Sequence, residues 1–224
     1  MKRSKEISDR EERSTRECFF ILGGTFNPIH RGHVYILDHL SRLYPKSRRM
    51  LMPNKHPEHK KDTVGYVDRV NMVKASIEGT DIEMSTMEID REGADSLTID
   101  TVKELRSQYP NAALIWVLGD DAMNSIDQWQ EWDDLVDFVH LYVIPREGLS
   151  VSQAVQKMMM ERQVKEVAEL FKSACGLIYV DESFKRIAMS ATQVREELSQ
   201  NNRCEQWLTD TVRRYIERNH LYRE

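Results

Sequence analysis

Two short stretches of the chain carry residue types suited to holding phosphate. The first is G-G-T-F-N-P-I-H-R-G-H, Gly23 to His33. Gly23 and Gly24 let backbone approach a ligand closely and supply amide donors. His30 and His33 lie three residues apart, at the expected start of a helix. Two imidazoles there can both donate to phosphate oxygens, and the helix N-terminus adds partial positive charge in the same place. The second stretch is M-S-A-T-Q-V-R, Met189 to Arg195. Ser190 is a good N-cap, and Gln193 completes the pattern of a capping box. Ser190, Thr192, the amides of the helix start and Arg195 one turn on form a set that suits an oligophosphate.

Plainer readings stand beside these: a glycine turn, a pair of surface histidines, a capped helix. A zinc reading rests on the ligand-like spacing of His30/His33 and His56/His59. Neither H-E-x-x-H nor CxxC accompanies them. The Walker A pattern and G-x-G-x-x-G are also absent, which removes P-loop NTPases and standard dinucleotide oxidoreductases from consideration.

The elements that must position these residues alternate. Cys18–Leu22 is a short apolar run stopped by glycine, as expected of a buried parallel strand. Val34, Leu37, Leu40 and Leu43 then recur at helical spacing over 31–44. Further strands are expected at 49–52, 81–87, 113–118, 140–144 and 176–180. Further helices are expected at 67–78, 97–109, 129–137, 151–173, 190–200 and 206–219. On 67–78, Val67, Val70, Val73 or Lys74, and Ile77 share one side. Strands alternating with helices predict an α/β, Rossmann-like, doubly wound parallel sheet, with helices on both faces and a small C-terminal helical portion. In such sheets ligands sit beyond the carboxyl ends of the strands. Those ends here carry Gly23-Gly24, Pro53, Gly119 and Pro145-Arg146.

At 224 residues the chain is long enough for one large domain, expected over 18–224. Residues 1–17 contain one aliphatic residue, Ile7, among many charges, and read as a flexible or disordered tail. The net charge of −5 and pI near 5.9 argue against a general nucleic-acid or anionic-membrane binder. No window of about 18 apolar residues suits a transmembrane helix, and the N-terminus lacks the apolar core of a secretory signal. Three widely spaced cysteines fit a reducing cytoplasm. The expected localisation is therefore cytoplasmic, and self-association into a homo-oligomer is left open.

Taken together, the two phosphate stretches resemble the nucleotidyltransferase superfamily marked by H-x-G-H and I-S-x-T-x-x-R. Pro53 to Lys60 (P-N-K-H-P-E-H-K), Gly119-Asp120-Asp121 with Trp129 ten residues after the glycine, Arg146-Glu147-Gly148 and the closing Leu221-Tyr222-Arg223 also match. Within the superfamily, 18–224 resembles the bacterial nicotinate-nucleotide adenylyltransferase family. The resemblance implies transfer of AMP from ATP to nicotinate mononucleotide, giving deamido-NAD and pyrophosphate in NAD biosynthesis. Mg²⁺ is then held by ATP phosphates and water, with no metal-ligating side chain.

The resemblance assigns ATP binding to Gly23, Gly24, Thr25, Phe26, His30, His33, Lys60, Asp121, Ser190, Thr192 and Arg195. His30, His33 and Arg195 act on the phosphates during transfer. Asp121 accepts from a ribose hydroxyl. Asn27, Thr98, Trp129 and Arg146 serve the mononucleotide, with Trp129 stacked on the pyridine ring. Asn27 stands where the family often has Asp, Glu58 where it has proline, and Leu97 where a tyrosine often precedes Thr98. The same chemistry on nicotinamide mononucleotide, adenylyl transfer to phosphopantetheine, a non-catalytic nucleotide-binding relative and a zinc hydrolase are the alternatives. All the phosphate assignments share one premise: the two imidazoles and the late guanidinium meet around one triphosphate.

Overall fold

A computed structural model of the chain describes residues 16–55, 64–92, 96–145, 148–184 and 190–223. Among these residues seven strands form one sheet in the order β3-β2-β1-β4-β5-β7-β6. They are β1 (Cys18–Gly24), β2 (Arg48–Pro53), β3 (Glu83–Met84), β4 (Ala113–Gly119), β5 (His140–Ile144), β6 (Gln163–Val164) and β7 (Ile178–Val180). The registered pairs all run parallel. The helices are α1 (Arg31–Leu43), α2 (Tyr66–Ile77), α3 (Met87–Asp90), α4 (Thr98–Gln108), α5 (Asp120–Asn124), α6 (Leu135–Phe138), α7 (Gln153–Arg162), α8 (Ala191–Ser199) and α9 (Asp210–Arg218). This is the Rossmann-like α/β class expected from the alternation. Among the described residues no helix is long and apolar enough to cross a membrane.

The chain divides into two compact units. The first comprises Met1–Leu22, Leu40–Arg49 and Leu97–Arg186. Its strands show no apolar–polar alternation: Phe19, Phe20 and Ile21 of β1, Ala113 to Leu118 of β4 and all of β5 are buried. Continuous burial is what a parallel sheet covered on both faces requires. Each fully buried Leu, Ile or Phe here contributes about 2 kcal/mol. Glu17 already belongs to this layer, since its carbonyl accepts from Ala113 N at 2.8 Å. Arg106 of α4 gathers the carbonyls of Phe138, Tyr109, Ala112 and Ala174. Three loops are thereby fixed by one guanidinium.

The second unit comprises Gly23–His39, Met50–Ser96 and Ile187–Glu224. Here α2 and α9 pack together. The Tyr215 hydroxyl donates to Asp68 Oδ1 at 2.9 Å and accepts from Asn71 Nδ2 at 3.0 Å.

Four expected elements came out differently. The helix expected over 151–173 ends at Arg162, because Gln163 and Val164 join the sheet beside Ile178 and Tyr179; strand pairing overrides helical periodicity. The helix expected over 129–137 is one 3₁₀ turn at Trp132–Asp134 followed by the short α6, and Trp129 itself is extended. The strand expected over 81–87 shrinks to Glu83–Met84, and Met87 opens α3. The last helix starts at Asp210 rather than 206, capped by Thr209 Oγ1, which accepts from Val212 N.

His140 opens β5 with no exposed surface. Its Nδ1 accepts from Leu177 N at 3.2 Å, and Nε2 faces Ser173 O at 3.1 Å, which assigns the proton to Nε2. Burial pulls the ring's pKa down to about 4 from the ordinary 6.5. Because the unfolded chain binds the proton more tightly, stability falls as pH drops from about 6.5 towards 4, by about 3 kcal/mol in total. A urea-unfolding series across that range should show this loss, and His140→Gln should flatten it. An unchanged slope in the variant would assign the acid sensitivity elsewhere.

Candidate active site

The loop leaving β1 is shaped by Phe26. This residue is buried in the left-handed region at φ 49°. Its ring lies over Gly24, where an added Cβ would meet Phe26 carbons at 3.2 Å and the ring would have to give way by a few tenths of an ångström. The same ring meets His33 edge-on at 5.1 Å.

His30 directly precedes the first helical residue of α1, and the two histidines cap that helix reciprocally. His30 Nδ1 accepts from Gly32 N, and His33 Nδ1 accepts from His30 N, both at 3.2 Å. The His33 ring makes the back-bond of a capping box, while the His30 ring takes the amide one residue earlier, at Gly32. The His33 bond accounts for the spacing of three, because a side chain at the third helical position can reach back to the N-cap amide. With each Nδ1 accepting, the neutral rings carry their protons on Nε2. The rings stack at 3.8 Å between centroids. Two N–H donors are thus held in fixed orientation by bonds to backbone amides.

The helix amides are used differently from the sequence expectation. Arg31 N donates to Trp207 O at 2.7 Å, Gly32 N to His30 Nδ1 and His33 N to His30 O. The start of α1 therefore offers imidazoles to a ligand while its first amides serve the protein. Arg31 Nε adds a bond to Leu208 O at 3.0 Å, which fixes this start on the segment after α8.

At α8 the expected capping box is present. Ser190 Oγ accepts from Gln193 N, and Gln193 Oε1 accepts from Ser190 N. The Ser190 hydroxyl also donates to Gln193 Oε1 at 3.2 Å. Arg195 reaches the first loop: Nη1 donates to Asn27 O at 2.9 Å and Nη2 to Thr192 Oγ1 at 3.2 Å. No carboxylate pairs with Arg195 among the described residues. The guanidinium and the H-x-G-H loop are thus joined directly within one unit.

Beneath this loop lies Arg69 of α2, 1% exposed. It donates to Thr25 O (2.7 Å), Asn54 O (2.8 Å), Lys55 O (2.7 Å), Asn54 Oδ1 (3.2 Å) and Val64 O (3.3 Å). Burial lowers its pKa from the ordinary arginine value. Asn27 is also buried; its Oδ1 accepts from the Tyr222 hydroxyl at 2.7 Å and from Val64 N at 3.4 Å.

The first unit carries the remaining described candidates. Gly119 ends β4, and Asp120-Asp121 open α5. Asp121 is exposed, whereas Asp120 is buried and accepts from Asp121 N and Gly148 N. Thr98 is the first residue of α4. Trp129 and Trp132 are both half-buried, outside the fully buried core. Between them Glu131 takes a left-handed φ of 48° and accepts from Lys103 Nζ at 2.6 Å. Lys60 and Arg146 lie outside the described residues, as do His56, Glu58, His59 and Met189.

Arg69, Asp120 and Tyr222 went unassigned in the sequence reading. The available signal for Arg69 was a cation set among the buried positions Val70, Met72, Val73 and Ser76. Among the described residues no three His, Cys, Asp or Glu side chains gather as a metal-ligand group.

Residues 21–197 match the cytidylyltransferase-like family. The chain is 32% identical over 216 residues to a protein of Acidithiobacillus ferrooxidans named probable nicotinate-nucleotide adenylyltransferase, covering 93% of this chain and 97% of that one. It is 31% identical over 209 residues to a protein of Serratia proteamaculans with the same name, covering 91% and 94%. Among solved structures, the Plasmodium falciparum nicotinic acid mononucleotide adenylyltransferase complexed with NaAD superposes with a TM-score of 0.70. Its sequence identity is 19%, over 92% of this chain and 98% of that one.

Arg69→Met should destabilise the protein by about 3 kcal/mol, because it strands several buried carbonyls at once. Chemical denaturation of the two proteins measures this. A loss under about 0.5 kcal/mol, the size of an ordinary surface substitution, would show that the loops do not depend on the guanidinium.

Proposed function

The chain belongs to the cytidylyltransferase-like family and, within it, to the nicotinate-nucleotide adenylyltransferases, and we propose that it transfers AMP from ATP to nicotinate mononucleotide, forming deamido-NAD and pyrophosphate. The observation that carries the site assignment is the bond joining Arg195 to the loop that ends in the His30–His33 cap.

In this reaction an oxygen of the mononucleotide phosphate attacks the α-phosphorus of ATP. The bond from that phosphorus to the bridging oxygen breaks, and its electron pair leaves on pyrophosphate. The attacking oxygen is already ionised at neutral pH, so the site needs neither a side-chain nucleophile nor a general base. The work left to the protein is alignment and neutralisation of charge.

His33 Nε2–H donates to the α-phosphate as charge accumulates, and His30 holds a neighbouring oxygen. Arg195, with Thr192 and Ser190, grips the departing β- and γ-phosphates, and Lys60 adds charge. Gly23, Gly24, Thr25 and Phe26 form the backbone wall on which ATP rests. Asn27, expected at the mononucleotide, is 4% exposed with its Oδ1 already accepting from Tyr222 and Val64, so its part is the shape of that wall rather than contact with the mononucleotide. In the first unit, Asp121 accepts from a ribose hydroxyl. Trp129 stacks on the pyridine ring, and Thr98 and Arg146 meet its carboxylate.

Imidazoles and a guanidinium suit phosphate oxygens and not a hard cation, so Mg²⁺ fits this site as a partner of the ATP oxygens and water. When bound it neutralises the charge that forms on pyrophosphate.

A pyrophosphate-release assay with ATP, Mg²⁺ and either nicotinate or nicotinamide mononucleotide tests the reading directly. Turnover is expected with the acid form. His33→Gln retains a side chain able to cap His30 N but removes the imidazole donor. It should lower kcat by about 100-fold while the unfolding midpoint stays within a few degrees. Near-normal turnover in that variant would take His33 out of the chemistry.

Trp129→Ala should raise the KM for the mononucleotide by about tenfold and leave that for ATP nearly unchanged. Equal rises for both substrates would remove Trp129 from the pyridine site.

A further inference from the structure

Tyr222 lies near the end of the chain, where residues ordinarily fray. Here the segment after α9 turns back on itself. His220 and Tyr222 take left-handed φ values of 51° and 61°, which L side chains adopt only at a cost. The turn is closed by His220 N to Glu217 O at 3.4 Å and Leu221 N to Ile216 O at 3.1 Å. Its outcome is one polar contact: the Tyr222 hydroxyl donates to Asn27 Oδ1 at 2.7 Å. Asn27 is 4% exposed, and its carbonyl accepts from Arg195 Nη1 at 2.9 Å. One residue therefore receives the phenol on its side chain and the guanidinium on its main chain.

We propose that Tyr222 is a positioning residue for Arg195: its hydroxyl fixes the Asn27 peptide, and the Asn27 carbonyl aims the guanidinium at the ATP phosphates. The inference rests on the phosphate-site reading given above.

Geometry limits the alternatives. Arg195 gains its second bond from Thr192, one turn back on its own helix, and that bond alone leaves the long side chain free to swing with α8. The Asn27 carbonyl is the contact that ties it to the His30–His33 loop. Asn27 in turn is held from the far side by Tyr222 and Val64. Burial pushes the phenol above its ordinary pKa, against the pull of Arg195 and Arg69 and with the help of Asp68, so the hydroxyl stays a donor at neutral pH.

The test uses the full chain and reads the dissociation constant of ATP with Mg²⁺ by titration calorimetry. Tyr222→Phe keeps the ring and removes only the donor. It should weaken ATP by about tenfold, because a buried acceptor loses its short bond. The KM for nicotinate mononucleotide should stay within about twofold, since uncoupled sites respond independently.

The same substitution is then made in an Arg195→Ala background. If Tyr222 acts through Arg195, the second change costs less than about twofold there, since coupled residues are non-additive. An equal tenfold loss in both backgrounds, or none in the wild-type background, overturns the inference. Turnover of the wild-type protein is measured alongside. Its absence would remove the assigned reaction, while the four ATP affinities still decide the part played by Tyr222.

Discussion

A phosphate site needs N–H donors that cannot turn their lone pairs towards the anion. In this protein that constraint is met by the reciprocal cap between His30 and His33. A free imidazole can present either face of its acid–base character. Here each Nδ1 is committed to a backbone amide, which leaves Nε2 as the protonated atom of the neutral ring. Helix α1 is started by the same two bonds, so the element and the chemistry form together. The surrounding structure keeps this arrangement in place: Phe26 presses on His33, Gly24 makes room for Phe26, and the Arg31 amide is anchored on Trp207.

Charge is distributed around that loop in a way that serves anions. Arg69 is buried among carbonyls and stiffens the backbone, whereas Arg195 makes one main-chain bond and one hydroxyl bond. Among the described residues these neutral partners leave the charge of Arg195 uncancelled, and a triphosphate can use it. A carboxylate in either position would have satisfied the guanidinium and spent its field. The family membership and this arrangement of neutral acceptors point the same way, towards phosphoryl chemistry done by alignment.

Much of this was legible in the residues. Continuous apolar runs at Cys18–Leu22, Ala113–Leu118 and His140–Ile144 marked the central strands, because a strand covered on both faces has no polar side to disguise it. The Ser190–Gln193 box was readable because capping is local in sequence. Long-range effects were not legible. Gln163 and Val164 leave a helical pattern for a sheet edge that only exists once β7 is in place. Val67 belongs to the expected apolar side of α2 yet is 56% exposed, while Arg69 takes a buried position. Nothing in a helical pattern says that a cation can sit inside when carbonyls from two loops converge on it. Asp120 and Asp121 are adjacent and alike, and burial alone distinguishes the one that braces Gly148 N from the one that faces solvent.

Arg69 has a consequence for how sequence can vary here. It binds the carbonyls of Lys55 and Val64, the two residues that bracket positions 56–63. The guanidinium therefore acts as a noncovalent clasp across the neck of that stretch. Closing a loop costs only about 0.6 kcal/mol more for each doubling of its length, so residues can be added or removed beyond a clasped neck with little penalty. Such changes would leave the wall built by Thr25 and Asn54 undisturbed. The clasp holds Lys55 and Val64 beside Thr25 and Asn54, so this neck keeps its form whatever the length of chain between them.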